Sequence, residues 1–316
     1  MHGSASPVLA DVTDARNPRT ICTLSGPWHP QFATQTSVSW WAGNDSGAPG
    51  ASMIAVLDLY TGTSSIAASW RGGGYMDGLH AWSPDRSFLV YVTSDGAVNL
   101  HLSSGGGDRI VATLGAVPGR GVNPTEDDAY LGISADNAYF ALVQTVAGSG
   151  DQLQIRRTTD GGLAFSQAAA TMATWSSTGN RLYFRKPNSS VVEEWNPTSG
   201  VSQAFGQAAA WIKPRADAGD DYLAFTVRDP AGKPHVWTYG HGGRAGGTLP
   251  NIRSSPVWLN ASTFFYVEEA PCVSACGIGP AWQPDGHNFT YDISHRAEDA
   301  SRIDQVYGTW PQPGQT

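Results

Sequence analysis

The chain has 316 residues, long enough for a large core, and only 15% of them are charged. With a net charge of −8 and no cluster of Lys and Arg, it lacks the many phosphate contacts that nucleic-acid binding needs. No apolar run is long enough to span a bilayer. The opening MHGSASPVLADVTD has neither the basic nor the apolar part of a signal peptide.

Turn formers are abundant, with 37 Gly and 20 Pro, and so are aromatics, with 12 Trp, 11 Tyr and 10 Phe. Residues 1–7 read as a cloning remnant or a disordered segment, and 1–316 as a single domain. The sparsely charged surface points to a secreted, periplasmic or cell-surface protein whose natural signal is not in this sequence.

In chain order, PVLADVT and TICTLSG are two short alternating strands. TSVSWWAG, SMIAVLDLYTG and SSIAASW follow as strands within residues 32–70. HAWSPDRSFLVYVTSD (80–95) is then an anchor residue, a polar turn and an alternating run, which is a tight hairpin. The same pattern returns at 131 (LGISADNAYFALVQTV), 173 (ATWSSTGNRLYFRKPN), 209 (AAWIKPRADAGDDYLAFTV), 255 (SPVWLNASTFFYVEEA) and 280 (PAWQPDGHNFTYDISH). Further strands, such as VNLHLSSG, LQIRRTTDG and HVWTYGHGG, follow the hairpins. GLAFSQAAATMA, the nearest approach to helical periodicity, sits between repeats and reads as strand and loop.

The spacing of about 40 to 50 residues, with four strands each, is that of β-propeller blades. The expected fold is therefore all-β, a propeller of six four-stranded blades. Seven is the alternative, if PAWQPDGHNFTYDIS is a first hairpin completed by the N-terminal strands. Six is preferred because residues 269–280 are too short for two full strands.

The repeated residues have structural roles. Trp82, Trp175, Trp211 and Trp258, with Ile133, are expected to wedge between blades. Tyr91, Phe140, Tyr183 and Phe225 should pack in the same sandwich. Pro84 suits the turn after an inner strand, because it fixes φ and cannot donate to a ladder. Asp85 can accept backbone N–H groups there. Trp82-Ser-Pro-Asp-Arg86 and Trp282-Gln-Pro-Asp-Gly286 resemble the WD40-like (PD40) repeat of bacterial TolB-type propellers, an aromatic followed by Ser-Pro-Asp-Gly. The resemblance covers roughly residues 25–300. It implies the ring fold and leaves the function open, since one ring hosts many chemistries.

Three cysteines occur. Cys272 and Cys276 lie in a turn-rich loop whose spacing permits a local disulfide, free thiols being the alternative. Cys22 reads as a buried small residue.

No Gly-x-Ser-x-Gly, His-Glu-x-x-His or calcium-loop motif is present, and no cofactor is expected. TolB-like repeats also occur beside hydrolase domains of the prolyl oligopeptidase type, but no α/β unit is left within these residues to hold a triad. A metal-dependent lyase or hydrolase, its site in the central channel, is the enzymatic alternative.

Binding is the stronger reading. Trp28, His29, Trp70, Arg71, Tyr75, Asp77, His80, Glu126, Asp127 and Asp128 fall in or beside loops expected on one face of the ring. Aromatics beside flexible glycines and acidic turns suit a protein or peptide partner. Carbohydrate would use the same aromatics. His80 and Asp77, with Asp127, Asp128 and Arg253, could instead face the channel.

Overall fold

The computed structural model describes residues 8–303 except 12, 24–27, 35, 44–51, 72–78, 94, 103–104, 106, 115–129, 147–149, 179, 187–190, 201, 208–214, 220, 242–243 and 273–281. Alternating runs such as YFALVQTV become strands, and no α-helix occurs among the described residues.

A hairpin comes first, β1 (Val8–Asp11) and β2 (Arg19–Thr23). Blade 1 holds β3 (Trp28–Thr34), β4 (Ser37–Gly43), β5 (Ser52–Asp58) and β6 (Ser64–Trp70). Blade 2 holds β7 (His80–Trp82), β8 (Phe88–Val92), β9 (Ala97–Leu102) and β10 (Asp108–Thr113). Blade 3 comprises β11 (Tyr130–Ile133), β12 (Tyr139–Val146), β13 (Gly150–Arg157) and β14 (Leu163–Ala168). Blade 4 is β15 (Thr171–Trp175), β16 (Leu182–Lys186), β17 (Val191–Trp195) and β18 (Ser202–Gln207). Blade 5 has β19 (Arg215–Ala216), β20 (Tyr222–Arg228), β21 (Pro234–Gly240) and β22 (Gly247–Thr248). Blade 6 ends the series with β23 (Arg253–Trp258), β24 (Thr263–Pro271), β25 (Trp282–Asp292) and β26 (Ala297–Ser301). Each blade is an antiparallel meander of four consecutive strands.

The six-bladed expectation holds, and the seven-bladed one fails, because β1 and β2 pair only with each other. The two ends of the chain meet differently. Arg302 N–H and Ser301 Oγ both bond the Ala15 carbonyl, and Arg16 pairs with Asp299. The β1–β2 turn is thus tied to the end of blade 6, and no blade of the described residues mixes strands from the two ends.

Blade 6 departs from the sequence reading. Trp282-Gln-Pro-Asp-Gly286 does not turn a corner; it is the start of the 11-residue strand β25. Strand β24 runs on to Pro271, which pairs with Trp282, so the segment is held extended against it. The register slips between Val267 and Glu269, and Gly286 has φ 91° there. The fourth strand is Ala297–Ser301.

Five apolar clusters fill five blade junctions. Ile54 and Ala68 of blade 1 meet Leu89 and Tyr91 of blade 2, with the half-buried Trp82 packed against them. Ile133 joins blades 2 and 3, and Trp175 joins blades 3 and 4. Tyr183 and Phe225 meet between blades 4 and 5, and Trp258 packs on Ala224 and Val236 between blades 5 and 6. The wedge role expected of the anchors is what Trp82, Trp175 and Trp258 perform. Two also bond across their junctions: Trp82 Nε1 donates to Ser39 Oγ at 2.9 Å, and Trp258 Nε1 to the Arg215 carbonyl at 2.9 Å. Tyr91, Phe140, Tyr183 and Phe225 are all buried. Trp211 lies outside the described residues; in blade 5 the end of the inner strand is Ala216.

In blades 2 to 5 the residue after the inner strand is the working part of the corner. Ser83, Ser134, Ser176 and Asp217 each accept, through a side-chain oxygen, the N–H five residues on, at 3.1, 3.0, 2.9 and 2.8 Å. Pro84 follows Ser83 in the turn, and Asp85 Oδ1 accepts the Ser87 N–H at 3.0 Å. Arg86 and Asn137 have φ of 61° and 63°, the left-handed conformation that Gly serves in the resembling repeat.

Candidate functional site

Register shows which residues share one end of the ring. In blade 1, Trp28 pairs with Trp41 and Trp41 with Ile54, while Gly43 pairs with Ser52 and Ser52 with Trp70. In blade 2, His80 pairs with Tyr91, Tyr91 with Asn99, and Asn99 with Ile110. The start of β3, the end of β6, the start of β7 and the β8–β9 turn therefore lie at the same ends of their meanders.

Between blades 1 and 2 at that end is a cleft of about 290 Å³. Its described lining is Trp70, Arg71, Tyr91, Thr93, Asp95, Ala97, Asn99 and Ile110. Trp70 stacks on Tyr91 with ring centroids 5.1 Å apart and planes at 24°. Tyr91 Oη donates to Asp108 Oδ2 at 2.7 Å, and His101 Nδ1 lies 2.6 Å from the other oxygen of Asp108. Burial and the bond to Asp108 push the Tyr91 hydroxyl far above its usual range, so it remains a neutral donor. The tight β8–β9 turn is set by Asp95: its Oδ1 accepts Thr93 Oγ1 and the Ala97 N–H. These bonds, the Thr93 hydroxyl first, hold the Asp95 carboxyl below the ordinary carboxylate range.

Of the residues singled out in the sequence, Trp70 and Arg71 meet in this cleft. Trp28 and His29 begin β3, but only their backbone is described. Tyr75, Asp77, Glu126, Asp127 and Asp128 lie outside the described residues. His80 is corrected to a structural role. It is buried, its Nε2 lies 3.2 Å from Ser39 Oγ, and its carbonyl accepts Gln31 Nε2 at 2.9 Å, so it ties blade 2 to blade 1. Thr93, Asp95, Asn99 and Ile110 were not legible as site residues; SDG read as an ordinary turn and VNLHL as an ordinary strand.

Arg253, another residue considered for the channel, is buried between carboxylates. Its guanidinium bonds Glu268 Oε1 at 2.5 Å and Glu298 Oε1 at 3.1 Å, and lies 3.9 Å from the Phe289 ring centre. Beside it, Glu268, Asp285 and His287 have ligand atoms within 4.8 Å of one another, the one grouping among the described residues suited to a metal ion. The slipped register of β25 brings Asp285 and His287 opposite Glu268. Cys272 is disulfide-bonded; Cys276 lies outside the described residues, and Cys22 is free and half-buried, not buried as expected.

No family model matches the sequence, and no curated protein does. Solved structures do match. Solved TolB proteins are among them. An oligogalacturonate lyase from Vibrio parahaemolyticus aligns over 99% of this chain and 87% of its own, at 8% identity and a TM-score of 0.58. A prolyl endopeptidase aligns over 86% of this chain at 13% identity, with a TM-score of 0.57. TolB from Acinetobacter baumannii aligns over 77% at 17% identity, with a TM-score of 0.46. The chain spans 59% of that TolB and 41% of that endopeptidase. At such identities the likeness shows the fold, a β-propeller, and the fold is shared by proteins of different activity.

Proposed function

We propose that this propeller is a non-catalytic binding protein that docks a protein or peptide on the loop face of blades 1 and 2. It acts, in this reading, as one domain in a secreted, periplasmic or cell-surface setting; no described helix is long and apolar enough to cross a membrane. The observation that carries the reading is the cleft itself. An aromatic pair, Trp70 on Tyr91, stands beside an open charged rim of Arg71 and Asp95. Such a mix of anchoring aromatic and convergent polar groups suits recognition of a side chain. Trp28, Tyr75 and the acidic 124–128 segment are expected on the same loop face.

Capture from the source organism's extracytoplasmic fraction tests it. Trp70→Ala should lower recovery of the partner at least tenfold while the fold, read by circular dichroism, is kept. Unchanged recovery would place the interaction elsewhere. Carbohydrate remains the alternative ligand, tested by the same variant on an oligosaccharide array.

A metal-dependent lyase or hydrolase is the second reading, and the Glu268, Asp285 and His287 grouping favours it. Its test is a rise in melting temperature on adding manganese or zinc, abolished in His287→Ala. No shift with either ion would remove it.

A further inference from the structure

The cleft between blades 1 and 2 carries more information than its shape. It has one carboxylate with an uncommitted oxygen, because both internal bonds to Asp95 use Oδ1 and leave Oδ2 to the opening. Asn99 donates its amide N–H to the Ala97 carbonyl at 3.1 Å, which turns its amide oxygen into a further acceptor. Trp70, half-buried and stacked on the buried Tyr91, lines the opening, and a cation is attracted to an aromatic ring. Ile110, 62% exposed at the mouth, offers apolar surface to a methylene stem. The whole chain carries −8, so its long-range field also favours a basic partner.

We propose that the occupant of this cleft is a single lysine or arginine side chain of a bound peptide segment. The inference rests on the docking reading and specifies its ligand. The stem would lie along Ile110 and Trp70, and the charged head would reach Asp95 Oδ2 and the Asn99 amide oxygen.

Fluorescence anisotropy with three labelled nonapeptides tests this. All share a Gly-Ser background; the centre is Arg, norleucine or Glu. The Arg peptide should bind at least tenfold tighter than the norleucine or Glu peptide. Asp95→Asn, which can keep the turn bonds, should erase the preference for Arg over norleucine without weakening norleucine. A melt of that variant confirms that it folds, and raising salt from 50 to 500 mM should weaken the Arg peptide selectively.

Equal binding of Arg and norleucine, or an Arg preference unaltered by Asp95→Asn, overturns the cationic assignment. If all peptides bind alike and Trp70→Ala weakens them all, the docking cleft stands and only its charge preference falls. If none binds, and Trp70→Ala leaves partner capture unchanged, the docking reading falls and this inference with it.

Discussion

Ser83 shows what a corner residue does in this ring. It is fully buried, and its hydroxyl holds the Phe88 N–H while its own N–H bonds the Phe88 carbonyl at 2.9 Å. Ser83→Ala would leave a buried donor without a partner and should cost about 1–3 kcal/mol. Asp85→Ala, at an exposed turn position, should cost about 0.5–1.5 kcal/mol. Urea melts of the two variants check the order; a larger loss for Asp85→Ala would show that the turn outweighs the buried serine.

His241 offers a pH signature. Its Nε2 lies 3.0 Å from Tyr183 Oη at the junction of blades 4 and 5. Burial, with Arg181 nearby and only partly offset by Asp221, pushes the imidazole down from 6.5 to about 4. The unfolded chain therefore binds a proton below about pH 6.5 that the folded chain refuses until about pH 4. Stability from this group is complete above the unfolded value and declines as pH falls between the two. Thermal melts of the parent should show that decline, and His241→Gln should flatten it. An identical profile in the variant would assign the loss to other groups.

At the scale of elements, the junction between blades 1 and 2 has the fewest buried apolar residues of the five among the described residues. Trp82 is only half-buried there, whereas Trp175 and Trp258 are buried at theirs. Trp82→Ala removes the wedge and the indole bond to Ser39, and should cost about 3 kcal/mol, near the low end for a core tryptophan. A melting temperature equal to the parent's would refute the wedge. The end of β24 is secured covalently, since Cys272 is disulfide-bonded. With Cys22 free and three cysteines in the chain, a non-reduced digest should yield Cys272 linked to Cys276 and Cys22 alkylated. Recovery of both Cys272 and Cys276 as alkylated thiols would remove the staple.

For the whole molecule, stability should grade around the ring. The second strands of blades 3, 4 and 5 carry side chains with no exposure, among them Phe140, Phe184 and Phe225. Among the described residues, the buried apolar side chains of blade 1 are small, Ala33, Val38, Ile54 and Ala68, and no apolar cluster joins it to blade 6. With no such cluster described between its first and last blades, the fold should loosen first at that seam. Hydrogen exchange should be slowest in β12, β16 and β20 and faster in β3 to β6. Equal protection of blade 1 and blade 4 would mean that the seam is as firm as the interior junctions.

The repeats made the blades legible because strand alternation, Ser-Pro-Asp corners and Gly turns act over a few residues. Trp82, Asp85, Trp175 and Trp258 could be given their roles from that local pattern. Blade 6 could not be read the same way, since Trp282-Gln-Pro-Asp-Gly286 has the look of a corner and only the long neighbour β24 holds it extended. The cleft was half visible. Trp70 and Arg71 stand out in a Gly-rich stretch, but Asp95, Asn99 and Ile110 belong to ordinary turns and strands. They join Trp70 only when two blades pack face to face with their registers set. Strand and turn preferences are written in neighbouring residues, whereas the meeting of side chains across a junction depends on how whole sheets twist and stack.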